Sequence, residues 1–137
     1  MRKRLITLLL LSLLSPLLAA QEGLALIGHS ALQKTDLATL QRLYMGRVVS
    51  LNQQFATPLN LPPGHPLRQQ FLDTILGQNE EQYTAYWLVR RYVGKGTPPQ
   101  EVASPEEMIR VIAATPGAIG YLPLSKVPAG ANVIFRR

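Results

Sequence analysis

Short apolar runs alternate along the chain with longer segments in which apolar residues recur every three or four positions. The continuous runs at 24–27, 118–122 and 132–135 are bounded by turn residues and predict buried β-strands. Helical spacing predicts four helices, over 37–44, 66–76, 80–93 and 105–115. Strands interspersed with three or four helices predict an α/β domain, built as a small mixed sheet with packed helices.

Two of these segments carry more specific expectations. Residues 55–61 form a further extended piece, and Pro58 together with the proline pair at 62–63 predicts an edge strand or a crossover. The second half of the 80–93 helix is apolar on more than one face, so it is predicted to lie deep against the sheet. Trp87 is therefore expected to be a core residue.

One stretch in the middle of the chain combines an extended segment, a Pro–Gly turn and a helix that opens at Pro66. Proline suits the first helical position, because its fixed φ fits there and its missing N–H is not needed. The N–H groups of Leu67 and Arg68 are then expected to be free at the positive end of the helix dipole. This turn is a candidate anion site with Gly64, His65, Leu67 and Arg68 as ligand-binding residues. A connecting turn with one solvated arginine stays open as the alternative.

The beginning of the chain has the composition of a targeting segment. Three basic residues are followed by a leucine-rich run and by a pair of alanines at 19–20. This order predicts a secretory signal peptide over 1–20 that is cleaved after the second alanine. The apolar run is shorter than the roughly 20 residues that span a bilayer, so a permanent anchor is less favoured. We expect a periplasmic product that forms one domain of residues 21–137.

Composition narrows the classes of function. The predicted signal peptide contains three of the 14 basic residues, and without it the formal net charge of +6 falls to about +3. No basic run with interleaved aromatic residues stands out, so nucleic acid is not an expected partner. The chain has no cysteine, which excludes disulfides, thiolate metal sites and thiol nucleophiles. No cofactor is expected.

The motifs of common enzymes are incomplete in this chain. Gly28-His29-Ser30 resembles the start of a hydrolase nucleophile elbow, but Leu32 stands where that turn needs glycine. The two histidines, His29 and His65, are thin support for zinc, because no cysteine or carboxylate pattern accompanies them. We therefore expect no catalytic residues and no metal ligands.

Several short motifs occur in a defined order: Tyr44-x-Gly46, Gly64-His65-Pro66-Leu67-Arg68-x-x-Phe71, Tyr86-Trp87 with Val93-Gly94-Lys95-Gly96-x-Pro98-Pro99, and Pro116-Gly117-Ala118-Ile119-Gly120-Tyr121. In that order and spacing they resemble the short, single-lobe relatives of the phosphate ABC-transporter substrate-binding proteins. The resemblance implies a periplasmic-binding-protein-like lobe without catalytic activity. In the full-length relatives a glycine- and serine-rich turn at a helix N-terminus holds phosphate between two lobes, and by motif position it corresponds to Gly64, His65 and Arg68. His65 replaces the family's usual serine, and a second lobe is not expected in a chain of this length.

Two functions remain open at this point. The first is an exported solute-binding-like protein that binds phosphate or a similar oxyanion and is linked to phosphate ABC transport or sensing. The second is a periplasmic protein-interaction or sensor-partner module that has lost ligand binding, and an exposed apolar patch around Pro98 and Pro99 would favour it. The expected partners are a small oxyanion such as phosphate or sulfate, a membrane transporter or sensor, and a second copy of the chain.

Overall fold

The structure, a computed structural model, describes residues 21–137, so the predicted signal peptide lies outside the described residues. The helices are α1 (Leu37–Tyr44), α2 (Pro66–Phe71), α3 (Glu80–Tyr92) and α4 (Pro105–Ala114), and the strands are β1 (Leu24–Gly28), β2 (Ser50–Leu51), β3 (Gln54–Phe55), β4 (Thr57–Asn60), β5 (Gln100–Glu101), β6 (Ala118–Pro123) and β7 (Asn132–Arg136). A π-helical turn, Leu72–Leu76, continues α2, and a 3-10 turn, Leu124–Lys126, follows β6. Within residues 21–137, no helix has both the length and the apolarity needed to cross a bilayer.

Five strands form a mixed sheet in the order β5-β4-β6-β1-β7, and β2 and β3 form a separate hairpin. Strand β4 runs parallel to β5 and β6, whereas β1 is antiparallel to β6 and β7. All of β1 and the first five residues of β6 are buried, as continuous apolar runs in inner strands should be. The predicted α/β domain with a small mixed sheet and four helices is confirmed.

Helices cover the two faces of β6. A side chain at Gly120 would collide with Met108 and Ile112 of α4, so the glycine lets that helix lie close to the strand. The next residue, Tyr121, stacks on Phe71 of α2 with ring centroids 4.1 Å apart. Because neighbouring strand residues point to opposite faces, α4 and α2 lie on opposite sides of the sheet.

Capping residues mark the ends of these helices. The Asp36 side chain accepts from the Thr39 N–H at 2.7 Å and begins α1. Asn79 and Gln82 form a complete capping box at the start of α3. Gly77 adopts the left-handed conformation, with φ of 63°, and closes the turn that follows α2.

Of the edge strand or crossover predicted for residues 55–61, the edge strand is wrong, because β4 lies between β5 and β6. Pro58 fits into this inner strand because its backbone nitrogen does not face β6. The Thr57 N–H donates to Gly117 O on the β6 side, so position 58 faces the other way. On that side the short β5 pairs only with Leu59 and Asn60. Because β5 does not pair with Pro58, the missing proline N–H breaks no hydrogen bond of the sheet.

The prediction that the second half of α3 lies deep in the core is also wrong. Trp87 is buried, as expected, but Leu88, Val89, Tyr92 and Val93 are exposed. The helix contacts the domain along one narrow stripe, and the sequence places apolar residues well outside it.

Candidate functional site

The structure places Arg68 at the carboxyl ends of the parallel strands β4 and β5, where open α/β sheets commonly bind ligands. Its side chain is only 5% exposed. The guanidinium forms a bidentate pair with Glu80, with Nε to Oε2 at 2.9 Å and Nη2 to Oε1 at 2.6 Å. This fork-to-fork geometry fixes the orientation of the planar cation.

The remaining contacts of Arg68 come from the end of β4, from β5 and from α3. Its Nη1 donates to the Leu61 carbonyl oxygen at 2.9 Å and reaches Glu101 Oε1 at 3.3 Å. The Tyr83 ring lies 5.4 Å from the guanidinium carbon. The Glu101 side chain is 49% exposed, whereas that of Glu80 is 30% exposed. Glu80 is thus the tight structural partner of the arginine, and Glu101 is the looser one at the mouth of the site.

The turn before α2 is arranged around His65. Its Nδ1 accepts a hydrogen bond from the Leu67 N–H at 3.1 Å, which makes His65 the N-cap of the helix. The expectation that the Leu67 N–H is free is therefore not met. Gly64 is exposed, with φ of 87° and no atoms near the position that a side chain would take. Its φ suits glycine, and the open space leaves the backbone accessible.

A buried polar network supports the end of β4. The Asn60 Oδ1 accepts from the Leu61 N–H and from the Tyr121 hydroxyl. The Tyr83 hydroxyl lies 3.4 Å from Asn60 Nδ2 and donates to the Tyr44 carbonyl oxygen, and the Tyr44 hydroxyl donates to the Leu59 carbonyl oxygen at 2.8 Å. The sequence analysis missed this network. Its only signal was a lone asparagine at the end of an apolar strand.

An open groove of about 220 Å³ runs past these residues. Its apolar walls are formed by Pro63, Trp87, Leu88, Pro98 and Pro99. Its polar lining consists of Asn60, Arg68, Tyr83, Thr84, Arg91 and Glu101. The groove therefore combines an apolar body with charges of both signs at one side.

The four predicted ligand-binding residues are close together in the chain but differ in surroundings. Gly64 is exposed, the His65 ring is occupied as a cap, the Leu67 N–H is paired, and Arg68 lies on the groove with its charge already balanced. Their role in ligand binding stays a prediction. Among residues 21–137, no group of three or more acidic or histidine side chains is placed to hold a metal ion.

These elements define a single α/β lobe with a groove at the carboxyl ends of its parallel strands. Among solved structures, the chain is similar to a phosphate ABC transporter substrate-binding protein from Clostridium perfringens, solved with bound phosphate, at a TM-score of 0.63 and 19% identity. It is also similar to an ABC-type phosphate transport receptor from Vibrio cholerae, at a TM-score of 0.63 and 15% identity. Each match covers 82% of this chain, and 44% and 45% of the two solved chains.

The chain therefore spans less than half the length of these proteins, and its fold is that of one periplasmic-binding-protein-like lobe. Neither of the two solved proteins is named as an enzyme. No family model matches the sequence, and no curated protein is similar enough to count as a relative. The resemblance predicted from the ordered motifs is confirmed at the level of the fold.

Proposed function

We propose that this protein is an exported solute-binding lobe that binds phosphate, sulfate or a similar oxyanion in the groove beside Arg68. One observation carries the proposal. The buried guanidinium reaches the groove, and the carboxylate that it meets there, Glu101, is half exposed and 3.3 Å away. The fold likeness to a substrate-binding protein solved with phosphate supports the same class of ligand.

In this proposal the oxyanion takes the place of the Glu101 carboxylate. The Nη1 group of Arg68 would then donate to the oxyanion, while Glu80 continues to hold the arginine in position. Arg91 lines the same groove and adds a second positive charge. Gly64, His65 and Leu67 shape the adjacent turn, where the exposed backbone of Gly64 is open to a ligand.

The proposed site is built for weak binding. The groove is open and leaves the anion in contact with water, and the Glu101 carboxylate competes for the same donor. We expect a dissociation constant for sulfate on the order of 0.1–1 mM. A linked role in phosphate ABC transport or sensing, in which a membrane transporter or sensor receives the lobe, is part of the same proposal.

Substituting Glu101→Gln should strengthen sulfate binding about tenfold, because it removes the competing charge and keeps the shape of the side chain. Backbone NMR titration with sulfate at neutral pH measures the affinity and locates the responding amides. Glu106→Gln is the matched control, since Glu106 is an exposed residue at the start of α4. That control should bind as the wild type does.

Two results of this titration would reject the anion site. One is the absence of amide shifts between Gly64 and Gln70 in both the wild type and Glu101→Gln. The other is equal affinity in these two proteins, since the Glu101 carboxylate would then not compete with the ligand. Phosphate should reproduce the sulfate result, because Arg68 recognises the shared tetrahedral, charged oxygens.

A protein-interaction or sensor-partner module is the second candidate function. It is favoured by the exposed apolar surface around Pro98 and Pro99, where Trp87 and Leu88 line the same groove. Exposed apolar surface of this kind marks interaction sites in soluble proteins. If the sulfate titration detects no binding, the protein-interaction module becomes the favoured function.

Export is the third element of the proposal, and it rests on residues 1–20 of the sequence. Protein recovered from the periplasm after expression of the full chain should begin at Gln21. Intact-mass analysis measures this directly. A mass that retains the first 20 residues would contradict cleavage and would favour a membrane tether.

A further inference from the structure

The exposed face of α3 carries an apolar stripe that nothing in residues 21–137 covers. Leu88 is 69% exposed and Tyr92 is 91% exposed, and Val89 and Val93 beside them are also exposed. Large apolar side chains on adjacent turns of one helix form a contiguous patch. Such patches are uncommon on soluble proteins unless another surface covers them.

The stripe has the spacing of a helix-pairing seam. Two exposed residues of the stripe, Leu88 and Tyr92, continue the line of the exposed Glu81 and Ala85, and the four positions are separated by four, three and four residues. This is the alternation with which one helix meets another along its length. The seam begins with an acidic residue, has small and apolar residues in its middle and ends on the large Tyr92 ring.

The same stripe is complementary to a second copy of itself in antiparallel orientation. A two-fold axis at Leu88 brings the two Leu88 side chains together, because an isologous interface pairs the central residue with its own copy. It brings Tyr92 of each copy over the small Thr84 and Ala85 of the other. The large exposed ring thereby meets two small side chains.

Charge follows the same symmetry. The first turn of α3 is acidic through Glu80 and Glu81, and its last turn is basic through Arg90 and Arg91. The exposed Lys95 follows three residues after the helix ends. Antiparallel pairing about Leu88 brings Glu81 of each copy to the end of the helix where Lys95 of the other copy lies. Both ends of the interface then join opposite charges.

We propose that two copies of this chain associate through an antiparallel α3–α3 interface centred on Leu88. Glu81 lies on the same stripe, which disfavours contact with an anionic membrane surface and favours the protein partner. Leu88 also lines the groove beside Arg68, so the second copy would lie at the rim of that groove. The interface does not depend on anion binding. Measuring the mass of the assembly without added anion therefore tests the dimer separately from the anion site.

Charge reversal tests both the partner and the orientation. Glu81→Lys places two like charges at each end of the interface, and so does Lys95→Glu, so each variant alone should dimerise about tenfold more weakly than the wild type. An equimolar mixture of the two variants restores opposite charges at both ends in the mixed dimer. Analytical ultracentrifugation of protein purified from full-chain expression, up to about 0.5 mM, measures the dimerisation. Native mass spectrometry of the mixture should show mainly the mixed dimer.

Leu88→Glu provides an independent test, because it places two carboxylates together on the two-fold axis. It should abolish the dimer and leave the melting temperature of the protomer unchanged, since Leu88 is exposed in the protomer. Leu124→Glu, an exposed apolar position outside α3, should leave the dimer intact. A wild type that stays monomeric throughout, a dimer that survives Leu88→Glu, or a mixture of charge variants that fails to pair would each overturn the proposal. Binding of monomeric wild type to anionic vesicles would overturn it in favour of a membrane surface.

Discussion

Raising the pH above about 10 should unfold this protein steeply, because three of its tyrosine hydroxyls are buried together. Burial raises the pKa of Tyr83 to about 12. Burial also raises the pKa of Tyr121, and it raises the pKa of Tyr44 well above its usual range. All three hydroxyls lie near the end of β4, where that of Tyr44 donates to the Leu59 carbonyl oxygen, that of Tyr83 to the Tyr44 carbonyl oxygen and that of Tyr121 to Asn60 Oδ1.

The direction of the effect follows from proton binding. Above pH 10 the unfolded chain releases the tyrosine protons, whereas the folded chain retains them, so the free energy of unfolding falls as the pH rises. This contribution is fully present below pH 10 and is lost as the pH rises toward the folded-state pKa values. Each tyrosine contributes a slope of about 1.4 kcal/mol per pH unit, and three contribute about 4 kcal/mol. Between pH 10 and 12 the loss therefore reaches about 8 kcal/mol, which is comparable with the whole stability of an ordinary domain, about 5–15 kcal/mol.

Urea denaturation followed by circular dichroism between pH 7 and 12 measures this slope. Tyr83→Phe should lower the alkaline slope by about 1.4 kcal/mol per pH unit, since one buried proton is no longer retained. Tyr92→Phe is the matched control, because that ring is exposed in the folded protein, and it should keep the wild-type slope. A free energy of unfolding that stays constant through pH 11 would show that these hydroxyls reach water.

The parts of the fold that could be predicted are those in which local chemistry decides the structure. The capping box at Asn79, the serine cap and proline at the start of α4 and the left-handed Gly77 each satisfy backbone groups within a few residues. Strand pairing is different, because it depends on distant segments. The two-residue strand β5 has no periodicity to detect, yet it makes β4 an inner strand despite its proline.

The candidate site shows the same division. The position of Arg68 on the first turn of α2 follows from the proline and the helical spacing after it. The identity of its partners cannot be predicted in this way, because Glu80 belongs to the next helix and Glu101 to a strand that forms only through tertiary pairing. Both glutamates could be explained locally, one as a residue of an acidic first turn and the other as part of a loop. An arginine that the sequence presents as a free cation is therefore neutralised by residues 12 and 33 positions away.

The core side of α3 leads to the second large expected effect. Replacing Trp87 with alanine should lower the free energy of unfolding by about 3–5 kcal/mol, because it empties a buried aromatic position. Trp87 is 6% exposed, and its ring meets the ring of Tyr86 edge to face at 5.7 Å between centroids. The opposite wall is Gly46, where φ is 68° and any side chain would collide with the indole. That glycine has no side chain with which to fill the space left by the indole.

Urea denaturation of Trp87→Ala against the wild type gives the change, and Leu88→Ala on the same helix is the matched control. Leu88 is the next residue of the same helix but is largely exposed, so its truncation should change the free energy of unfolding by less than about 0.5 kcal/mol. The difference between these adjacent positions isolates burial from helix propensity, since both variants place alanine in α3. Equal and small effects at 87 and 88 would mean that the indole packs loosely. In that case α3 would be held by its caps and by the Arg68–Glu80 pair instead of by its aromatic face.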